Sequence, residues 1–110
     1  MKNKLHYSPE ALKDLDETWD YIMMDLANPD AAENVVNEII DTIDKLEDFA
    51  GMGVPLSSVA DVETDYRFLL SGNYMIFYRP EEADIYIDRI LYGRRDYLRI
   101  LFSDLPGKIE

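Results

Sequence analysis

Hydrophobic residues recur at intervals of three and four along two early segments of the chain, which is the spacing of one face of an α-helix. In the first segment, residues 9–26, the apolar positions are Leu12, Leu15, Trp19, Ile22, Met23 and Leu26. In the second segment they are Val35, Val36, Ile39, Ile40, Ile43 and Leu46. The pattern predicts two amphipathic helices that bury these faces, and the short break at Asn28-Pro29 predicts that they form an antiparallel hairpin.

Local signals mark where each helix begins. Ser8 is a good N-cap, and Pro9 follows it in the first turn, where a missing N–H costs nothing. Asp30 with Glu33 three residues later predicts a capping box for the second helix. The carboxylates between the apolar positions are expected to form a solvated face, and they are Asp14, Asp16, Glu17, Asp20, Glu38, Asp41 and Asp44.

The second half of the chain is rich in β-branched and aromatic residues, which favour strands. Three such runs, 66–70, 74–79 and 85–92, predict an antiparallel meander. Ser71-Gly72-Asn73 predicts a tight hairpin connection, whereas residues 80–84 predict a looser one. Residues 4–7 predict a short edge strand, 51–64 a loop and 96–102 a brief closing helix. Both sides of the second and third strands of the meander are apolar, so alternation does not identify the inward face.

This element order predicts an α+β fold, in which an N-terminal edge strand and an antiparallel helix hairpin pack on an antiparallel sheet of three to four strands. We expect a single domain over residues 1–110, because this length suits one hydrophobic core. The chain has no cysteine, no apolar run long enough for a membrane span and no export signal at its start. We therefore expect a cytoplasmic protein with no membrane partner.

The formal net charge is −12, but it is unevenly distributed, because every arginine lies at residue 67 or later. A strongly acidic protein repels nucleic acid, whose binding depends on lysine and arginine. The arginines either serve a binding surface or neutralise nearby carboxylates, for example in the adjacent pairs Arg89 with Asp88 and Arg95 with Asp96.

Three segments resemble the RelE/ParE superfamily of bacterial type II toxins. They are Tyr7-Ser8-Pro9-Glu10-Ala11-Leu12-Lys13-Asp14-Leu15 leading into Trp19-Asp20-Tyr21-Ile22, then Arg67 with Gly72-Asn73-Tyr74-Met75-Ile76-Phe77-Tyr78-Arg79, and Arg89-Ile90-Leu91-Tyr92-Gly93-Arg94-Arg95-Asp96. The resemblance spans nearly the whole chain and implies a growth-inhibiting toxin, of the kind associated with plasmid stabilization, that is paired with a cognate antitoxin.

One branch of this superfamily cleaves messenger RNA on the ribosome, using cations to stabilise the phosphorane. The resemblance aligns Met75 with an arginine of that branch and Leu101 with a tyrosine, so both groups are missing here. Arg95 does match one of its basic residues. His6, the only histidine, is expected to be an ordinary strand residue rather than a general base.

The other branch, the ParE-like toxins, is implicated in poisoning DNA gyrase, and its closing strand typically reads Arg-Val-Leu-His-Gly-x-Arg-Asp. Here Tyr92 replaces the histidine, which keeps an aromatic hydrogen-bonding group but not one that titrates near neutrality. The resemblance favours this branch. A ribosome-dependent endoribonuclease and a non-toxic interaction module of the same fold are the alternatives.

We therefore expect a protein that binds its partners and uses no cofactor, metal or catalytic residue. The expected partner-binding residues lie on or beside the predicted sheet, and they are Arg67, Arg79, Arg89, Tyr92, Arg94 and Arg95. Among them Arg94 is the residue most expected to face a partner. The expected partners are the antitoxin and DNA gyrase, or in the ribonuclease alternative the ribosome and messenger RNA.

Overall fold

A computed structural model describes residues 2–93 and 96–102. Its strands are β1 (Lys4–Tyr7), β2 (Val54–Pro55), β3 (Arg67–Ser71), β4 (Tyr74–Glu81) and β5 (Asp84–Tyr92). Its α-helices are α1 (Pro9–Asp20), α2 (Pro29–Asp44) and α3 (Tyr97–Leu101). The predicted α+β class, the helix hairpin and the closing helix are confirmed.

The sheet has five strands in the order β1-β5-β4-β3-β2. Strands β3, β4 and β5 form the predicted antiparallel meander. β1 lies at the edge as predicted, but it runs parallel to β5, with Leu5 opposite Ile85. The expectation of a purely antiparallel sheet is therefore wrong. Parallel neighbours need a long crossover connection, and here the helix hairpin and the first two strands of the meander supply it.

The helix starts follow from their caps. The Ser8 side chain accepts a hydrogen bond from the Ala11 N–H, as predicted for α1. For α2 the cap is Asn28, whose side chain accepts from the Ala31 N–H, and Pro29 takes the first turn. The predicted Asp30 capping box is wrong, because the cap is Asn28, two residues earlier, and Pro29 suits the first position of the helix.

The buried face of α1 differs from the one predicted by its large apolar residues. Ala11, Asp14 and Thr18 are buried, whereas Leu12 is 51% exposed and Trp19 37% exposed. The interpretation of Asp14 as a solvated carboxylate and of Trp19 as a core residue is therefore wrong. Small and polar side chains let α1 lie close to β5 and place a carboxylate against that strand, which a face of leucine and tryptophan would prevent.

Apolar residues cover both faces of the sheet, which explains why alternation along the strands was uninformative. One face packs against α1 and α2 through a cluster centred on Ile39, Ile43, Ile76, Tyr78 and Ile87. The opposite face holds a smaller cluster of Leu56, Met75, Phe77 and Leu91, covered in part by residues of α3. Central strands buried on both sides lose the hydrophobic and polar alternation that identifies an inward face.

Two connections are more ordered than the sequence predicts. The segment between α2 and β3 contains β2 and a 3₁₀ turn over Leu56–Ser58, so it is not a plain loop. The link from β4 to β5 is only two residues long, because β4 continues through Pro80. It extends beyond Tyr78, which lies opposite Arg67, the first residue of β3. A proline fits there because β4 has a single neighbouring strand at that point. The tight turn at Gly72, with a φ of 58°, is confirmed.

Candidate partner-binding surface

A buried ion pair joins α1 to β5. The Arg89 Nε donates to Asp14 Oδ2 at 2.8 Å, and the Arg89 Nη2 donates to Asp14 Oδ1 at 2.9 Å. The backbone N–H of Ile90 donates to the same carboxylate at 2.8 Å. The hydrogen bonds between Arg89 and Asp14 raise the pKa of Arg89, against the opposing effect of its partial burial. The pairing of Arg89 with its neighbour Asp88, suggested by the sequence, is therefore wrong.

A β-bulge in β5 lies at Asp88 and Arg89, two adjacent charged residues that have different partners. Phe77 of β4 lies opposite Arg89, whereas Tyr78 lies opposite Ile87, so Asp88 is the extra residue. A bulge bends the strand locally and redirects its side chains. Asp88 and Arg89 thus lie at an irregular point of the strand, and each belongs to a different polar group.

Asp88 is the centre of a second polar group. Its carboxylate accepts hydrogen bonds from the Tyr66 hydroxyl at 2.9 Å and from Arg79 Nε at 2.7 Å. Arg79 Nη1 also lies 3.3 Å from Glu81. Burial, and then the hydrogen bond to Asp88, raises the pKa of Tyr66 to about 12. The charge of Arg79 is thus balanced by two nearby carboxylates.

Arg67 holds the segment that leads into β2. Its Nη1 donates to the carbonyl of Gly53 at 2.6 Å and to that of Gly51 at 3.4 Å. Beneath it the buried Tyr78 hydroxyl donates to the Ala50 carbonyl and accepts from the Gly53 N–H, both at 2.9 Å. A Cβ atom at Gly53 would lie only 2.5 Å from that hydroxyl oxygen, so the close approach requires glycine.

Three of the predicted partner-binding arginines, Arg67, Arg79 and Arg89, therefore have partners within the chain. Their binding of another molecule stays a prediction. The structure does not bring them together, because each belongs to a separate polar group. Arg94 and Arg95 lie outside the described residues. Tyr92 is accessible, and its ring makes an edge contact with Tyr74 at 5.6 Å between centroids.

Two of the three positions matched to ribonuclease groups, Met75 and Leu101, lie in one apolar cluster. Met75 is buried with Leu56, Phe77 and Leu91, and Leu101 of α3 packs against the same cluster. A phosphorane site needs cations and polar donors that converge on it. The side chains gathered here are apolar, so this part of the sheet resembles a small core rather than a phosphate site.

An open groove of about 580 Å³ lies between the end of α1 and the sheet. It is bordered by a π-helical turn over Tyr21–Asp25, which follows α1. Tyr21 and Leu26 on its rim are 53% and 56% exposed. The residues lining the groove are Asp14, Glu17, Thr18, Tyr21, Ile22, Leu26, Val35, Asn73, Tyr74, Ile90 and Tyr92. The helical period placed Leu26 on a buried face, because it assumes regular helix where the π turn changes the phase.

The described residues also show where the single histidine lies and whether a metal site or a membrane span is present. His6 lies in β1, as predicted, where its Nε2 is 2.8 Å from Asp84 and its ring stacks on Tyr86. Within 2–93 and 96–102, the acidic and histidine side chains form no cluster of three that could hold a metal ion. No helix in these same ranges is long and apolar enough to cross a bilayer.

The comparisons with known proteins agree with this architecture. A search of curated proteins found no match. Among solved structures, a chain of the chromosomal ParDE toxin–antitoxin system from P. aeruginosa is similar, with a TM-score of 0.70 and 25% identity, and the match covers 83% of this chain and 96% of that one. A family model described as the ParE toxin of type II toxin–antitoxin system, parDE, matches residues 5–97. Apart from Lys4, the first residue of β1, the helix hairpin and the sheet described above fall within that match, and the chain belongs to the ParE toxin family.

Proposed function

We propose that this protein is a growth-inhibiting toxin that acts in the cytoplasm by binding a protein target, DNA gyrase, and that its cognate antitoxin neutralises it by direct binding. Membership of the ParE toxin family supports the antitoxin partnership. The choice of a protein target over RNA cleavage rests on the residues of this chain. Plasmid stabilization is the biological setting in which such a pair would act.

The observation that carries the proposal is the apolar cluster around Met75. This residue and Leu101 take the positions where the ribonuclease branch has an arginine and a tyrosine, and both pack with Phe77 and Leu91. A thioether and an alkyl group offer neither charge for a phosphorane nor a proton for a leaving 5′-oxygen. Restoring one group would not rebuild a site that lacks the others.

The charge of the chain supports the same choice. Among the described arginines, Arg67 donates to backbone carbonyls, whereas Arg79, Arg89 and Arg99 lie beside carboxylates. The chain as a whole carries a net charge of −12, and each of these arginines already has a partner within it. Approach to phosphate-rich ribosomal RNA is unfavourable under those conditions, whereas binding to a protein requires only local complementarity.

The deciding experiment adds the purified protein to two systems, gyrase supercoiling of plasmid DNA and a translation extract analysed by primer extension. We expect loss of supercoiling, restored by the antitoxin, and no cleavage in the ribosomal A site. Cleavage that Arg95→Ala abolishes would establish the ribonuclease alternative. An effect on neither system, with unimpaired growth at high expression, would establish the non-toxic module.

A matched pair of variants tests the target surface. Arg94→Glu should abolish growth inhibition, because Arg94 is the residue we expect to face the target. Arg99→Glu makes the same charge change in α3, where the side chain is largely exposed and, among the described residues, pairs with Asp96. It should remain toxic. Equal toxicity of both variants, at equal melting temperatures, would contradict a role for Arg94.

A further inference from the structure

The groove between α1 and the sheet has an apolar floor that is open at the surface. Ile22, Val35 and Ile90 lie within it, and the aromatic rings of Tyr21 and Tyr92 border it. Tyr21 exposes more than half of its surface. Aromatic side chains with an apolar body and a hydroxyl tip are common anchors of protein interfaces.

The charged residues that line the groove are acidic. Glu17 lies at its exposed rim and Asp14 is buried beneath, and no lysine or arginine is among the lining residues in the part of the chain that is described. Arg89 lies nearby, but its hydrogen bonds go to Asp14, and it also experiences the charges of Glu10 and Glu17. One guanidinium among three carboxylates leaves a local excess of negative charge.

The backbone beside the groove supports a constrained shape. A π-helical turn over Tyr21–Asp25 forms one wall, and such turns are frequent at functional sites. Ala27, which follows that wall, has a φ of 50°, in the left-handed region that disfavours residues with a Cβ atom. The backbone of Ala27, in the α1–α2 connection, thus has a conformation that a residue with a Cβ atom rarely adopts.

We infer that this groove binds a segment of the antitoxin in which aliphatic or aromatic side chains are flanked by lysine or arginine. The inference rests on the antitoxin partnership in the proposed function, and it adds the surface and the chemistry of the segment. The apolar side chains would cover the floor, and the cations would lie against Glu17 and the neighbouring carboxylates. An acidic segment would be repelled here, since the described lining residues include two carboxylates and no cation.

The test uses the full-length chain and the antitoxin encoded by the adjacent reading frame, with affinity measured by calorimetry at two salt concentrations. Glu17→Lys reverses the charge of the rim, and Glu38→Lys makes the same change on α2, outside the groove lining. Tyr21→Ala removes an anchor, and Met24→Ala removes an even more exposed side chain of the same turn that does not line the groove.

We expect Glu17→Lys and Tyr21→Ala each to weaken binding about tenfold or more, and their controls to change it by less than about twofold. Added salt should weaken the wild-type complex more than the Glu17→Lys complex. Equal affinities within each matched pair, or tighter binding by Glu17→Lys, would overturn the groove assignment. Absence of any complex with the wild-type chain would instead overturn the antitoxin partnership, so the two failures are distinguishable. Melting curves identify any variant that is unfolded.

Discussion

Replacement of Asp14 is expected to destabilise the fold more than any single change on the exposed side of α1. Its carboxylate accepts two hydrogen bonds from Arg89 and one from the Ile90 N–H, and its side chain is only 4% exposed. Asp14→Ala would leave a guanidinium and a buried N–H without their acceptor. Removing one member of a buried pair costs about 3–5 kcal/mol.

The partial exposure of Arg89 reduces that figure, because solvent can reach part of the guanidinium once the carboxylate is gone. Its side chain remains 24% exposed. We therefore expect a loss of about 2–4 kcal/mol for Asp14→Ala, a large fraction of a total stability of about 5–15 kcal/mol. Asp14→Asn keeps the shape and one acceptor oxygen but loses the charge, so its cost should be smaller.

Urea unfolding followed by tryptophan fluorescence measures these costs. A double-mutant cycle with Arg89→Met should give a coupling energy of about 1–3 kcal/mol between the two side chains. Glu17→Gln, an exposed carboxylate of the same helix, is the control and should stay within about 0.5 kcal/mol of the unaltered chain. A loss below that value for Asp14→Ala would refute the reasoning.

Three further outcomes are expected. The pKa of Tyr66 in the folded state, about 12, lies above its ordinary value of 10.0, so the folded state retains the phenolic proton more strongly. The associated stability should be present below pH 10 and should decline as the pH rises through 12. Tyr66→Phe should reduce that decline in alkaline unfolding curves. Gly53→Ala should cost about 1–3 kcal/mol in urea unfolding because its methyl group would overlap a buried tyrosine, whereas Gly51→Ala, with open space around it, should not show this loss. Ile39→Ala should lower stability by about 2–5 kcal/mol, and Trp19→Ala by less, since Ile39 is fully buried and Trp19 is partly exposed; equal losses in thermal or urea unfolding would contradict this packing.

Local sequence signals predicted elements better than they predicted faces. Ser8 with Pro9 identified the start of α1, and Gly72 identified a tight turn, because capping and turn geometry depend on neighbouring residues. The face of α1 depends instead on a contact with Arg89, which is 75 residues away from Asp14 in the chain. Hydrophobic periodicity ranks a carboxylate as outward, so it missed the buried one.

The groove could not be found from the sequence for a related reason. Leu26 fits the helical period that includes Ile22, but the π turn between them alters the phase and leaves Leu26 exposed. Similarly, the sequence suggested Asp88 as the partner of Arg89 because the two are adjacent, whereas the observed partner, Asp14, is 75 residues away in the chain. The resemblance to a toxin family was reliable since it rested on several segments in order, not on one long-range contact.

The parallel pairing of β1 with β5 has a consequence for how the protein is made. Leu5 meets its partner Ile85 only after most of the chain has been synthesised, and the Asp14–Arg89 pair must wait equally long. Contacts between residues so distant in sequence slow folding, because the loop entropy must be lost before they form. On the ribosome, the first strand and the first helix therefore remain without their native neighbours until the last strand emerges. The surface that β1, α1 and β5 form together therefore exists only after β5 has emerged from the ribosome.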